Sequence, residues 1–208
     1  MTLGRIVVTE FISLDGVIEA PGGGEKFKYG GWTFKISRGE EGDKFKLDET
    51  RSSKALLLGR VTYEGFAAAW PSREGEFADK FNAMPKYVVS STLTNPSWSN
   101  STVLKGDVAD QVRKLKQKQE GDIVVHGSAR LVQTLLENDL VDELRLMVFP
   151  VLLGTGKRLF GEMSNLKALR LVDSKVGGEG VTILRYEPAP EKAKEVAATA
   201  SSRSASTR

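Results

Sequence analysis

Short apolar runs alternate with amphipathic stretches along the first two thirds of the chain. The apolar runs lie at residues 6–9, 11–18, 55–58, 87–89 and 123–125, and the amphipathic stretches lie at about 40–53, 61–69, 107–119 and 129–138. The clearest stripe with helical spacing is formed by Leu131, Val132, Leu135 and Leu136. Strands that alternate with helices predict a parallel sheet that is covered on both faces.

The pattern changes after about residue 140. Strand-like runs at 144–149, 168–172 and 181–186 follow with little helix between them, and the glycine-rich segment 177–180 predicts a hairpin between the last two. These runs add an antiparallel edge to the sheet. The sequence therefore predicts an α/β fold of three layers (αβα), with a mostly parallel central sheet and an antiparallel C-terminal edge.

Composition excludes several functional classes. The chain has no cysteine, which rules out disulfides, zinc–thiolate sites, iron–sulfur clusters and thiol nucleophiles, and no metal site is predicted. The net charge of +3 arises from 30 basic and 27 acidic side chains that are interspersed, which favours a mixed-charge surface over a nucleic-acid-binding face. Because no apolar stretch is long enough to span a membrane and no signal peptide is recognisable, we expect a cytoplasmic protein without membrane contact.

A single domain is expected at residues 1–187. From Pro188 onward the chain consists of Ala, Ser, Lys, Glu and Arg with almost no large apolar side chain. This composition predicts a disordered tail over residues 188–208. Within it, residues 191–198 could form a short helix on binding a partner, although a passive extension is favoured.

Three strand ends carry residues that suit an anionic ligand, and the carboxyl ends of parallel strands meet at one edge of a sheet. They are Gly59-Arg60-Val61-Thr62, Ser90-Ser91-Thr92 and His126-Gly127-Ser128-Ala129-Arg130. In the first and third blocks a glycine precedes the start of a helix, where free backbone N–H groups and the helix dipole favour phosphate. Ordinary helix capping also accounts for these residues, with Thr62 and Ser128 as N-caps.

The order and spacing of these blocks resemble the cofactor side of dihydrofolate reductases. The matching segments are 56–64 (Leu-Leu-Leu-Gly-Arg-Val-Thr-Tyr-Glu), 88–91 and 123–131. Segments 12–16, 140–146, 150–156 and 159–160 look like the C-terminal reductase domain of the bifunctional riboflavin-biosynthesis deaminase-reductase and its stand-alone relatives. The resemblance covers about residues 4–187, and it implies a dihydrofolate-reductase-like fold and a reductase activity.

The resemblance also implies NADPH as the cofactor, a small heterocyclic or ribose-phosphate-bearing substrate, and a homodimer. In this family the first block binds the pyrophosphate and adenosine end and the serine pair points at the 2′-phosphate, which assigns Gly59, Arg60, Thr62, Ser90 and Ser91. The third block is implied to line the pyrophosphate, with Gly127, Ser128, Ala129, Arg130 and Leu131, and with His126 beside the cofactor. Near the nicotinamide the resemblance places Leu14, Asp15 and Gly16.

Hydride transfer to a C=N or C=O carbon requires a proton source, for which the candidates are Asp15, Asp43 and water. Asp43 falls where the pterin-binding acid of the family would lie when residues are counted back from Gly59, but an acid near a helix start is also an ordinary dipole partner. As the only histidine, His126 suits either catalysis or a local hydrogen bond.

Other side chains could contact the substrate. Aromatic candidates for a substrate pocket are Trp32, Phe34, Tyr63 and Trp70, with core packing as the alternative. Lys157 and Arg158 could bind a substrate phosphate or form an ordinary exposed pair.

Three functional hypotheses are consistent with the sequence. The first is an NADPH-dependent reductase, and the second is a nucleotide-binding module without catalysis. The third is a nucleic-acid-associated protein that uses the basic tail, for which binding would depend on salt and vanish when the residues after Pro188 are removed. The absence of a clustered basic stretch in residues 1–187 favours the first two.

Overall fold

A computed structural model of the protein describes residues 3–24 and 26–190. The strands in this part of the chain are β1 (Arg5–Ser13), β2 (Ala55–Gly59), β3 (Lys86–Val89), β4 (Ser101–Leu104), β5 (Asp122–Val125), β6 (Glu143–Phe149), β7 (Leu169–Gly177) and β8 (Val181–Pro188). The helices are α1 (Gly39–Ser52), α2 (Arg60–Ala69), α3 (Glu76–Ala83), α4 (Val108–Lys118) and α5 (Ala129–Glu137), and a 3-10 turn lies at Trp32–Lys35.

All of these strands form one sheet in the order β4-β3-β2-β5-β1-β6-β8-β7. The first six pair in parallel, and β8 runs antiparallel between β6 and β7. Apolar side chains on one face of the sheet pack against α4 and α5, and those on the other face pack against α2 and α3. The predicted three layers, the mostly parallel sheet and its antiparallel C-terminal edge are therefore confirmed.

The sequence pattern does not predict α3 and β4. Strand β4 forms one edge of the sheet and starts with Ser101 and Thr102, and none of its residues is fully buried, so it carries no apolar run. Helix α3 has only eight residues, with Phe77 and Phe81 as its main apolar contacts, which is too short for a clear period. The other edge strand, β7, extends beyond its predicted end at residue 172 because it is exposed and lacks an apolar period.

The end of the fold lies close to its predicted boundary. Strand β8 continues to Pro188, and the Ala189 N–H donates a hydrogen bond to the Ala168 carbonyl at 3.0 Å. Most of the predicted tail, including segment 191–198, lies outside the described residues. Within the described part of the chain, no helix combines the length and the hydropathy that a membrane span requires.

The sheet opens beside β1. Strand β5 pairs with β1 only as far as Val125 opposite Val8, whereas β1 continues along β6 until Ser13 lies opposite Phe149. After Val125 the chain leaves the sheet and enters α5. A gap therefore lies between residues 9–13 and residues 126–128, named the β1–β5 cleft below. It lies at the carboxyl edge of the parallel strands, where ligands bind in open α/β sheets.

Candidate functional site

Two helices begin next to each other at this edge because β2 and β5, which lead into α2 and α5, are neighbours in the sheet. Two hydrogen bonds join the helix starts. The Gly59 N–H donates to Ser128 Oγ at 2.9 Å, and the Ser128 N–H donates to Thr62 Oγ1 at 3.1 Å. We name this arrangement the α2–α5 joint.

Neither helix start is capped by a side chain, and neither has an acidic residue in its first turn. The N-cap role considered for Thr62 is therefore wrong. Ser128 does occupy the N-cap position of α5, but its hydroxyl accepts the hydrogen bond from Gly59, and Thr62 lies inside α2. Because the first N–H groups of a helix have no partner within it, both starts present donors and positive dipole ends.

Glycine is required at the joint for steric reasons. Gly127 has a φ of 56°, and a Cβ atom there would lie 3.0 Å from Thr62 Oγ1. A side chain at Gly59 would be tight as well, with Ser128 Oγ 3.3 Å from its Cβ. The two predicted glycines thus let two backbone segments approach closely, which is the geometry that phosphate-binding loops need.

The predicted 2′-phosphate residues have different surroundings. Ser90 is buried, and its Oγ accepts hydrogen bonds from the N–H groups of Thr92 at 3.2 Å and Leu93 at 2.9 Å, whereas Ser91 is exposed. The Arg60 guanidinium is exposed and pairs with Glu64 at 2.9 Å. Such a surface pair contributes about 0–1 kcal/mol, so a phosphate can replace it at little cost.

The remaining residues of the third block divide between solvent and core. Arg130 is exposed and Ala129 is partly exposed at the start of α5. Leu131 is buried in the cluster that holds α5 against the sheet, so its side chain supports the helix.

Asp15 is a structural anchor for the neighbouring loop. Its carboxylate accepts hydrogen bonds from Ser13 Oγ at 2.6 Å, from the Leu153 N–H at 3.1 Å and from the Gly154 N–H at 2.8 Å. The Ser13 bond chiefly, with the two backbone bonds, lowers the pKa of Asp15 to about 2. A carboxylate that stays ionised above pH 4 is a poor proton donor, so the placement argues against the catalytic role predicted for Asp15.

The other predicted residues of this loop follow the same turn. Leu14 is exposed, and Gly16 forms the turn with a φ of 85°. Arg158 donates to the Asp15 carbonyl and lies 3.6 Å from its carboxylate, while Lys157 pairs with Glu19 at 2.8 Å. Both basic residues therefore tie segment 150–158 to the loop after β1.

Asp43 does not face the cleft. Its side chain is 66% exposed and pairs with Arg38 at 2.6 Å, which is the local role that the sequence offered as the alternative. The buried face of α1 instead carries Lys46 and Glu49. These two side chains bind each other, and each also binds Thr9 of β1. The placement of Asp43 thus argues against the predicted catalytic role.

The sequence pattern does not reveal this buried charge on α1. Lys46 Nζ lies 3.0 Å from Thr9 Oγ1, which in turn donates to Glu49 Oε2 at 3.1 Å. The Lys46 ammonium also lies 5.4 Å from the centroid of the Phe11 ring, as does the Arg38 guanidinium. The one available signal is the interruption of the first apolar run by Thr9 and Glu10.

His126 and Glu10 lie on either side of the cleft. The His126 ring packs against Phe66 and Phe81, and burial, with a smaller contribution from the Lys46 charge, holds its pKa well below the usual value. The imidazole is therefore neutral. Burial raises the pKa of Glu10 well above the usual value, although a hydrogen bond from the Gly127 backbone opposes that effect.

The aromatic candidates mostly belong to the core. Trp32, Tyr63 and Trp70 pack against Phe149, Trp98 and Phe77 respectively, which supports the core-packing alternative for them. Phe34 is 80% exposed, so it contributes little to the core.

The topology and the open edge beside β1 define a dihydrofolate-reductase-like α/β protein, and a solved structure supports that class. Dihydrofolate reductase from Enterococcus faecalis, complexed with NADP(H), superposes with a TM-score of 0.55 at 16% identity over 89% of this chain and 97% of that one. Over residues 5–183 the chain matches the RibD C-terminal domain, and it belongs to this family.

A second solved structure and one curated protein are also similar to the chain. A Shewanella sp. PV-4 protein named for riboflavin biosynthesis has a TM-score of 0.73 at 23% identity, with 89% of this chain and 99% of that chain covered. The uncharacterized protein YyaP of Bacillus subtilis strain 168 is 28% identical over 187 residues, which is 88% of this chain and 94% of YyaP. The family and the structural neighbours are of the reductase type.

Proposed function

We propose that the protein is an NADPH-dependent reductase that transfers a hydride to a small heterocyclic or ribose-phosphate-bearing substrate. The observation that carries the proposal is the α2–α5 joint, where two helix starts without caps or acidic residues adjoin the β1–β5 cleft. Membership of a reductase-type family supports the reaction class.

The joint fits a pyrophosphate. Its donors are backbone N–H groups at two helix starts, and glycine at positions 59 and 127 lets the two segments that carry them approach closely. We assign Gly59, Thr62, Gly127, Ser128, Ala129 and Arg130 to this part of the cofactor. Two converging positive dipole ends suit a group with two negative charges.

The 2′-phosphate that distinguishes NADPH from NADH is assigned to Arg60 and Ser91. Strands β2 and β3 are adjacent, so the residues that follow them lie at neighbouring positions of the edge. Arg60 can exchange its surface pair with Glu64 for two hydrogen bonds to phosphate, and the buried Ser90 hydroxyl fixes the turn that carries Ser91.

The cleft is the proposed position of the nicotinamide, which when bound would supply the hydride. Leu14 and Gly16 border it at the end of β1. On the α1 face of β1, Arg38 and Lys46 both lie 5.4 Å from the Phe11 ring centroid. A flat substrate that carries a phosphate would meet an aromatic ring and two cations there, which motivates the proposed substrate class.

The first experiment is a fluorescence titration with NADPH and, separately, with NADH. Replacing Arg60 by Ala should weaken NADPH binding by about tenfold or more, because a charge-assisted hydrogen bond contributes about 1.5–3 kcal/mol. NADH binding should change little. The matched control is Arg113→Ala, since Arg113 is an equally exposed arginine in a surface ion pair on α4. Failure of both cofactors to bind the wild type would refute the proposal.

Turnover separates the reductase from a nucleotide-binding module without catalysis. Loss of NADPH absorbance is followed with pyrimidine, pterin and flavin acceptors at saturating NADPH. Oxidation of NADPH that requires one acceptor supports the reductase. Binding without turnover of any acceptor would favour the module.

We also propose a homodimer formed through β7. This strand is one of the two edges of the sheet, and the exposed side chains on it include Leu169, Leu171 and Val176. An exposed edge with apolar residues favours pairing with another chain. Light scattering should give twice the chain mass for the wild type and a lower mass for Leu171→Lys; a wild-type monomer at micromolar concentration would contradict it.

A further inference from the structure

Glu10 occupies the β1–β5 cleft in an unusual state. Its side chain is only 6% exposed, and its Oε1 is buried without a hydrogen-bond partner among the described residues. The carboxyl also hydrogen-bonds the backbone of Gly127, which belongs to the α2–α5 joint. A buried polar atom without a partner costs about 1–3 kcal/mol, so it marks a place where a ligand can supply the missing partner.

The surroundings of Glu10 favour the protonated form of its carboxyl. Burial raises its pKa most, the Gly127 bond and the Lys46 charge oppose this, and the Glu49 charge adds to it. The β6 residue opposite Glu10 is the apolar Leu146, and the nearby His126 imidazole is neutral because its own pKa is lowered. Within the cleft these surroundings therefore favour the protonated carboxylic acid, which carries an O–H donor.

We propose that Glu10 is the proton donor for the reduction, an inference that rests on the proposed function. As hydride adds to the carbon of a substrate C=N or C=O bond, the π pair moves to the nitrogen or oxygen. That pair forms the new N–H or O–H bond with the Glu10 proton, and the Glu10 O–H bond breaks. The carboxylate that remains is stabilised by Gly127 and Lys46 until water returns a proton.

The discriminating variant is Glu10→Gln. The amide keeps the size of the side chain and an acceptor for Gly127 but has no acidic proton. We expect NADPH affinity to stay within about threefold of the wild type, because the hydrogen bond to Gly127 is kept. Single-turnover hydride transfer to any acceptor that the wild type reduces should fall about 100-fold or more, which is the usual contribution of a positioned acid.

The pH profile separates a proton donor from a residue that only supports the fold. The wild-type rate should fall as pH rises through the pKa of Glu10, and Glu10→Gln should lose this limb. Glu49→Gln is the matched control, since Glu49 of α1 is also a buried acid and its carboxylate binds Thr9 and Lys46. Removing its negative charge should move the limb to lower pH while the proton donor is retained.

A second measurement reads Glu10 without turnover. In protein labelled with 13C at the glutamate side-chain carboxyl, the signal missing from Glu10→Gln should titrate well above the usual Glu value of about 4.3. Titration near that value would overturn the donor role, as would a Glu10→Gln variant that reduces an acceptor at the wild-type rate. If the wild type binds no NADPH, the proposed function falls first, and the carboxyl titration alone still shows the state of Glu10.

Discussion

The starts of α2 and α5 differ in one respect from the start of α4, although all three lie at the carboxyl edge of the parallel strands. At α4 the Asp107 carboxylate accepts the Asp110 N–H at 2.9 Å, and Asp110 adds a second acid to the first turn. At α2 and α5 there is neither a side-chain cap nor an acid. The start of α4 is thus capped by one of the protein's own carboxylates, whereas the starts of α2 and α5 carry no side-chain cap.

Asp15 is a second carboxylate that accepts backbone N–H groups near this edge. Its carboxylate accepts the N–H groups of Leu153 and Gly154, so this loop needs no outside anion. The carboxylates of Asp107 and Asp15 thus accept backbone N–H groups near this edge, whereas the first turns of α2 and α5 contain no acid. A helix start without an acid suits the phosphate groups of the proposed cofactor.

The largest effect on NADPH binding should come from adding a side chain inside the α2–α5 joint. Gly127→Val places a β-branched residue at a φ of 56° and its Cβ about 3.0 Å from Thr62 Oγ1. Strain of about 1–3 kcal/mol should lower the free energy of unfolding and raise the Kd for NADPH at least about tenfold. Urea unfolding and fluorescence titration measure the two effects.

Gly106→Val is the matched control, because Gly106 precedes the capped start of α4. Gly106 also has a positive φ, at 96°, but a Cβ there would meet nothing nearer than Gln111 Nε2 at 4.0 Å. It should lose stability through backbone strain and keep the wild-type Kd. Equal loss of NADPH binding in both variants would show that the joint has no special part in it.

A smaller effect on NADPH binding should follow from adding a negative charge to the first turn of α2. Val61 is exposed in the first turn of α2, and Val61→Asp gives that turn the acid it lacks. The carboxylate should stabilise the helix by about 0.3–1 kcal/mol and repel the pyrophosphate, which raises the Kd for NADPH about threefold. Val61→Asn controls for the change of side chain. A variant that is more stable and binds NADPH equally well would remove the electrostatic argument.

Much of the fold follows from the sequence because buried elements impose patterns. The run 55–58 is apolar throughout since β2 is covered on both faces, and the stripe of Leu131, Val132, Leu135 and Leu136 is the face of α5 that packs on the sheet. Besides the short helix α3, the sequence misses β4 and shortens β7, which are the two edge strands, where few residues are buried.

The candidate site is predictable only in part. Glycines and hydroxyls at strand ends are visible in the sequence, because helix starts and close backbone contacts restrict residue type there. The direction in which a helical acid points is not visible, so counting back from Gly59 selects the exposed Asp43 and does not reveal the inward-facing Glu49. Glu10 is missed because its character comes from burial in the cleft and not from its neighbours in the chain.

The Asp15 carboxylate, which accepts the N–H groups of residues 153 and 154, should stabilise the fold in a pH-dependent way. The folded pKa of Asp15, about 2, is below its unfolded value, so its stabilisation is complete above about pH 4 and is lost as pH falls towards 2. Asp15→Asn should therefore lower the free energy of unfolding at pH 7 by about 1–2 kcal/mol, and the difference from wild type should shrink between pH 4 and 2. Asp43→Asn, at an exposed surface pair, should show little difference at either pH.

Removing the side-chain cap of α4 should have the smallest effect on NADPH binding. Asp107→Ala removes the cap of α4 and should cost about 1 kcal/mol in the free energy of unfolding, with no change in the Kd for NADPH. Asp110 still lies in the first turn, so the uncapped start keeps a negative charge and does not become a second phosphate site. The double variant Asp107→Ala/Asp110→Ala removes that charge as well. If this variant binds inorganic phosphate at α4, an open helix start alone is enough for anion binding; if it does not, the paired geometry of the α2–α5 joint is what selects the ligand.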